Sequence, residues 1–124
     1  MALTHATAVR NAIADAVVDL IDAAGSGGEL IIKDGGVVLA TFVLPSPSFG
    51  DAAAGVALAN AIDEVDATAT GEADAFELTD AAGTVIISGT VTVVGDGGDV
   101  ELSDVDLVAG DPVSVDLLNY TAPV

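Results

Sequence analysis

The chain has 124 residues, 20 of them acidic and 2 basic, which gives a formal net charge of -18. An apolar content of 52% excludes a disordered acidic tail, and two bases are too few to bind a phosphate backbone. One His and no Cys or Trp argue against catalysis, and no disulfide framework is predicted.

The apolar residues are mainly Ala, Val, Leu and Ile, because the sequence has only 3 Phe and 1 Tyr. Aromatic side chains bury the most area per residue, so the core is expected to be thin. We therefore expect part of the apolar surface to contact other chains. The sequence contains no uninterrupted run of about 18 apolar residues, so no transmembrane helix is predicted. The N-terminus also lacks the basic region and apolar run of a signal peptide.

The charge indicates the habitat of the protein. Of the 20 acidic residues, 15 are Asp, and the two bases are isolated in the sequence. High salt screens the repulsion between such charges. The composition therefore favours a protein adapted to saline surroundings, for example from a halophile or its virus. The alternative is a merely acidic protein from a GC-rich genome. In either case the surface repels DNA.

Residues 4–24 are predicted to form a helix. Thr4 or Thr7 is expected to cap its start, and the glycines from Gly25 to Gly28 are expected to end it. Apolar residues recur along it at helical spacing, with Ala16 and Ile21 beside the main stripe of Val9, Ile13, Val17 and Leu20. We expect this stripe to be fully covered, either by the rest of the chain or by another protein.

From residue 29 the apolar period becomes two, which predicts strands. Residues 29–34 and 37–44 flank the turn residues Asp34, Gly35 and Gly36 and should form a hairpin. The second strand is apolar on both faces, so we expect it to be central in a sheet and covered on both sides. In the loop 45–50 that follows, Phe49 is the only large apolar side chain.

The rest of the chain reads as further strands and turns. Residues 55–61 favour a strand, with a short Ala-rich helix starting at Asp51 as the alternative. A long strand is predicted over 66–78, then a type I turn from Asp80 to Gly83 and a half-buried strand over 85–93. The alternation slips at Asp104, which predicts a bulge or two short strands within 100–107. After a turn at 109–112, the last strand continues to Thr121.

One helix followed by about seven strands predicts a mainly β fold. We expect an antiparallel β-sandwich of about seven strands with one N-terminal α-helix. The chain should form a single domain over residues 1–124, with the helix in 1–24 and the sandwich in 25–124.

Few residues suggest a chemical site. His5 is expected to be a solvated N-terminal residue. The glycines at 25–28 follow a helix, the reverse of the order in a phosphate loop. Around the next Gly-rich turn, at 95–98, we expect a solvated acidic face that includes Glu101. A divalent-cation site is the alternative there, with the candidate ligands Asp96, Asp99, Asp104 and Asp106. No cofactor is predicted.

Several stretches together resemble a family of small structural proteins of tailed-phage virions. The opening helix contains Arg10-Asn11-Ala12-Ile13-Ala14-Asp15-Ala16, and the hairpin region contains Leu39-Ala40-Thr41-Phe42 followed by Pro47-Ser48-Phe49-Gly50. Residues 55–62, 80–85 and 108–121 are similar as well. The chain departs from the family in its large excess of acidic residues. Members of the family tend to carry an aromatic residue in the strand that matches residues 73–78, and in this chain Phe76 alone could fill that place.

The resemblance implies a virion structural protein, and the charge favours the outside of the particle over contact with packaged DNA. We expect a capsid decoration or cement protein, in many copies or as a homo-oligomer, bound to the major capsid protein or other virion proteins. No nucleic acid, membrane or enzymatic reaction is expected. The predicted interface residues are Val9, Ile13, Val17, Leu20 and Phe49. The alternatives are a neck or tail component and an extracellular binding module of a halophilic microbe.

Overall fold

A computed structural model describes residues 4–21, 28–45, 49–60, 62–96, 100–102 and 104–121. Over these residues the chain forms one N-terminal helix followed by strands, which confirms the prediction of a mainly β protein. The elements are α1 (Thr7–Asp19), β1 (Glu29–Asp34), β2 (Val37–Val43), β3 (Val56–Leu58), β4 (Val65–Asp66), β5 (Gly71–Glu72), β6 (Ala75–Thr79), β7 (Val85–Val93), β8 (Val100–Leu102), β9 (Asp106–Leu107), β10 (Pro112–Val113) and β11 (Val115–Thr121).

Among the described residues, the main sheet has seven strands in the order β2-β1-β6-β7-β8-β11-β3. The predicted sandwich of seven antiparallel strands is not confirmed, because these strands join one mixed sheet in which β7 and β8 run parallel. The parallel pair is short, from Val91↔Val100 to Val93↔Leu102.

Segments 65–73 and 105–113 run antiparallel beside each other as a second, smaller ribbon. Strand β4 pairs with β10, and β5 pairs with β9. Between these pairs, the N–H of Ala67 donates to Asp111 O at 2.8 Å. The long strand predicted over 66–78 is therefore divided, since its first part joins this ribbon while β6 joins the main sheet.

One face of the main sheet forms the core. Leu30 lies opposite Leu78, and Ile32 lies opposite Phe76, and all four side chains are buried. The buried alanines are Ala14, Ala40, Ala57, Ala67 and Ala73, and all three Phe residues, Phe42, Phe49 and Phe76, are buried as well. The ribbon contributes Leu107 and Val113 to the same apolar cluster.

The helix is shorter than predicted and starts differently. It begins after Ala6, whose backbone is extended, and no side chain caps it, so the predicted cap by Thr4 or Thr7 is wrong. It ends at Asp19, ahead of the glycines expected to end it. Gly25 and Gly27 lie outside the described residues.

The predicted hairpin forms, but its second strand is not central. The loop residue Gly35 has a φ of +56°, a conformation that favours glycine. Strand β2 lies at the end of the sheet and pairs there with β1. Its valines Val37, Val38 and Val43 are also exposed, so the expectation that β2 is covered on both faces is wrong.

The later turns follow the sequence signals closely. Asp80 Oδ1 accepts hydrogen bonds from the N–H groups of Ala82 at 3.0 Å and Thr84 at 2.9 Å, and Gly83 has a φ of +88°. The slip at Asp104 separates two short strands, β8 and β9. The last predicted strand is also divided, into β10 and β11.

Candidate assembly surface

The helix buries a different line of residues from the one predicted. Ala14, Val18 and Ile21 are buried against the sheet, where α1 packs on β3 and β11. Along the predicted stripe, Ile13 and Val17 are only half-buried. Val9 is 45% exposed and Leu20 is 51% exposed, so the stripe is not covered within the described part of the chain.

Phe49 is a core residue and not a surface residue. It is 5% exposed, and its backbone bridges to Ala59 beside β3. The next residue extends this contact, because the N–H of Gly50 donates to Leu58 O at 2.8 Å. The ring of Phe49 is therefore already buried within the fold, and its contribution to an interface stays a prediction.

Two polar residues of the helix hold the loop before β3. Asn11 Oδ1 accepts a hydrogen bond from the N–H of Gly55, and Asp15 Oδ1 accepts one from the N–H of Ala52, both at 2.8 Å. Their spacing of four residues puts both side chains on one face of the helix. These residues belong to the helix segment on which the family resemblance rests, and their contacts give both side chains a structural role in the fold.

Several aspartates bind backbone groups elsewhere in the chain. Asp34 Oδ2 accepts from the N–H of Glu72 at 3.3 Å, and Asp74 Oδ1 accepts from the N–H of Gly35 at 3.1 Å. These reciprocal bonds attach the hairpin turn to the segment before β6. Short carboxylates suit such contacts with turns, so part of the Asp content has a local structural role.

The acidic residues proposed as metal ligands do not form a site among the described residues. Asp104 Oδ1 instead accepts a hydrogen bond from the N–H of Asp106 at 2.9 Å, and both residues are exposed. Asp96 lies in an exposed turn, and Asp99 falls outside the described residues. No group of three or more His, Cys, Asp or Glu residues in the described part of the chain could hold a metal ion.

Strand β2 forms an apolar edge of the main sheet. Its exposed side chains are Val37 at 54%, Val38 at 41% and Val43 at 70%. Its sequence contains no charged residue and no proline, which are the residues that commonly protect a free edge. The sequence alone did not reveal this edge, because an apolar strand was expected to be central.

The first half of the β2 edge is protected. The register with β1 shifts between Ile32 and Lys33, which leaves Leu39 as an extra residue in β2. Leu39 O accepts the N–H of Thr68 at 2.7 Å and also lies 3.3 Å from Thr68 Oγ1. A bulge and a covering loop are both common ways to block an edge.

The second half of the edge forms no backbone hydrogen bond on its outer side among the described residues, although β4 packs beside β2. The N–H of Leu44 donates to Gly28 O on the β1 side, at 3.0 Å. In an antiparallel ladder the backbone groups alternate, so those of Phe42 also face β1, while those of Thr41 and Val43 face away from it. No described residue pairs with this outer side of Thr41 and Val43.

The opposite edge of the sheet, at β3, differs from β2. The helix packs on β3, and the segment around Phe49 and Gly50 bonds to its end. The segment 52–55 is held close to it by the helix, as described above. Among the described residues, the open edge positions of the main sheet are therefore those of β2.

The charges near β2 are mostly negative. Glu29 lies opposite Val43 across the β1–β2 pair, and Asp66 is exposed on β4, which packs beside β2. Lys33 forms an ion pair with Glu77, with 3.3 Å between Nζ and Oε1. Strand β2 itself carries no charged residue, and it lies on a chain with a net charge of -18.

Comparisons of this chain with protein families, with curated proteins and with solved structures found no match. Within the described residues, no helix has the length and apolar character needed to cross a membrane.

Proposed function

We propose that this chain is a structural protein of a tailed virus, and that it decorates the outer surface of the capsid. The observation that carries the proposal is the uncharged edge strand β2, with its exposed valines, on a chain with a net charge of -18. Unpaired strand edges bind further strands, and a protein that leaves one open is suited to assembly. The family resemblance in the sequence supplies the virion as the setting.

Electrostatics supports the outer surface of the capsid over its interior. Packaged DNA carries a dense negative charge, and a chain with a net charge of -18 is repelled by it. The exposed valines of β2 and the exposed Val9 and Leu20 of the helix supply apolar area for contacts with the major capsid protein or a further copy. The proposed role requires binding and no chemical step.

The experiment is a copy count in purified virus particles. Quantitative mass spectrometry gives the ratio of this chain to the major capsid protein, and immunogold labelling of intact particles shows which surface carries it. Hundreds of copies with labels over the whole shell are expected. About six or twelve copies at one vertex would indicate a neck component instead, because such rings have cyclic symmetry. Absence from particles would favour an extracellular binding module.

A further inference from the structure

The peptide bond between Asp111 and Pro112 lies where the turn after β9 enters β10. We propose that this bond is a site of self-cleavage, in which the carboxyl group of Asp111 attacks the backbone carbonyl carbon of the same residue. The reaction breaks one bond and consumes one water molecule per chain, so it is a modification of this protein and not an enzymatic turnover. It stands apart from the proposed function.

A glycine-dependent bulge fixes the backbone around Asp111. Gly110 has a φ of +94°, and the N–H of Asp111 donates to Val108 O at 2.9 Å, which closes a tight turn. The N–H of Gly110 donates to Ala67 O, and the N–H of Ala67 donates to Asp111 O, each at 2.8 Å. Gly110 and Asp111 therefore lie together opposite Ala67, and the carbonyl group of Asp111 is held in one orientation.

The hydrogen bond from Ala67 has a chemical consequence. Negative charge develops on the carbonyl oxygen of Asp111 when a nucleophile attacks its carbon, and a donor that is already in place stabilises that charge. Ala67 is 4% exposed, so little water competes for its N–H. The fold therefore supplies one donor of an oxyanion hole at this carbonyl group.

The side chain of Asp111 is available as the nucleophile. Asp111 is exposed, and its carboxylate has no hydrogen bond or ion pair among the described residues. The more usual reaction of an aspartate, attack of the next backbone nitrogen on its side chain, is blocked because Pro112 has no N–H. The bond to proline is a tertiary amide, whose basic nitrogen leaves readily once it is protonated.

Asp66 is placed to protonate the leaving nitrogen. It lies directly opposite Pro112 in the β4–β10 pair, and both residues are exposed. Since Ala67 and Asp111 occupy a hydrogen-bonded position, Asp66 and Pro112 occupy the next, non-hydrogen-bonded one, where facing side chains are closest. Glu64, exposed just before β4, is the nearest other carboxyl group in that segment with the same side-chain parity.

The reaction has two stages. In the first, a carboxyl oxygen of Asp111 bonds to the carbonyl carbon of the same residue and closes a cyclic anhydride, while the bond from that carbon to the nitrogen of Pro112 breaks. Asp66 gives a proton to this nitrogen and takes up the proton that Asp111 releases. In the second stage water opens the anhydride, which leaves two carboxyl groups on Asp111 and a new N-terminal amine on Pro112.

The fold holds the two fragments together after cleavage. The C-terminal fragment carries β10 and β11, and β11 lies between β8 and β3 in the main sheet. Its pairing with both neighbours does not involve the broken bond, and Val113 stays buried in the core. We therefore expect a nicked, folded protein that keeps its last strand.

The test is incubation of the full chain in molar sodium chloride at about pH 5, above its isoelectric point of about 4.1, followed by mass measurement under denaturing conditions. We expect fragments 1–111 and 112–124 to accumulate while native size exclusion shows a single species. The same chain in urea should cleave about tenfold more slowly or worse, because the hydrogen bond from Ala67 is lost. No cleavage, or equal rates in the two solvents, would overturn the inference.

Trapping identifies the intermediate. Hydroxylamine present during the incubation should convert part of the 1–111 fragment to a hydroxamate, because it attacks the anhydride in place of water. Fragments that form without any hydroxamate would indicate direct hydrolysis by water and would overturn the role of the Asp111 carboxyl group.

Three variants assign the roles of the carboxyl groups. Asp111→Ala removes the nucleophile from an exposed position and should abolish cleavage. Asp66→Asn should slow cleavage about tenfold. Asp106→Asn removes the same charge from an exposed position of β9 in the same ribbon and should leave the rate nearly unchanged. Circular dichroism checks that all three variants fold. Cleavage of Asp111→Ala at the normal rate would overturn the proposal, and equal rates for Asp66→Asn and Asp106→Asn would overturn the role of Asp66.

Discussion

The side chain of Asn11 accepts a hydrogen bond from the backbone N–H of Gly55, with 2.8 Å between Oδ1 and N. This contact joins the first turns of the helix to the segment that leads into β3. Asp15, one turn further along the helix, binds the same loop through Ala52. The two bonds explain how an aromatic-poor helix keeps a defined position on the sheet.

Removal of the Asp15 acceptor should destabilise the fold. Asp15→Ala leaves the N–H of Ala52 without its acceptor, and we expect the free energy of unfolding to fall by about 1–3 kcal/mol. Asp19→Ala is the matched control, because it removes the same charge from an exposed position of the same helix. Urea denaturation measures both variants. Equal stabilities of the two would show that the Asp15 bond contributes nothing.

The burial pattern of the helix can be tested with a second pair. Val18 is 3% exposed and Val9 is 45% exposed. Val18→Asp puts an unpaired charge into the core and should cost more than about 3 kcal/mol, whereas Val9→Asp should change stability by less than about 1 kcal/mol. Circular dichroism melts compare the two. A larger loss for Val9→Asp would mean that the helix buries its other face.

Gly28 should not tolerate a side chain. A Cβ at this position would overlap with the carbonyl oxygen of Thr79, and a backbone atom cannot move aside cheaply. We expect Gly28→Ala to lower stability by about 3 kcal/mol or to prevent folding. Gly36→Ala is the control, since nothing lies within 4 Å of its added Cβ. Soluble yield and urea denaturation give the comparison, and similar values for both variants would contradict the close approach.

Thr79 is a site where a substitution should stabilise the protein. It is 2% exposed, and its Oγ1 has no hydrogen-bond partner among the described residues. Thr79→Val keeps the shape and removes the buried hydroxyl, so we expect a gain of about 1 kcal/mol and a melting temperature a few degrees higher. Thr79→Ser, which keeps the hydroxyl and loses the methyl group, should be less stable than the unmodified chain. A loss of stability in Thr79→Val would show that the hydroxyl has a partner.

Salt should raise the stability of the isolated chain. Its 20 acidic residues face only 2 basic ones, and screening relieves their mutual repulsion. We expect the melting temperature to rise as sodium chloride increases from low to molar concentration. A parallel series in sucrose at matched osmolality separates screening from general exclusion effects. A flat or falling curve in sodium chloride would remove the argument for saline adaptation.

Local signals in the sequence predicted the elements that depend on neighbouring residues. The hairpin around Gly35 and the turn from Asp80 to Gly83 formed where glycine and aspartate indicated them. The helix formed near the N-terminus, and the change of period marked the first strand correctly. These features are set by backbone preferences and residue size, which a single sequence carries.

The tertiary structure alone decided which apolar surfaces are buried. The helix carries two adjacent rows of apolar residues. Its packing on β3 and β11 buries the row with Ala14 and Val18 and leaves Val9 and Leu20 exposed. Strand β2 is apolar on both faces, a pattern that fits a central strand as well as an edge that contacts another protein. Periodicity specifies the faces of an element but not its neighbours. The neighbours depend on long-range pairing, and here that pairing puts β2 at the end of the main sheet, with Val43 70% exposed.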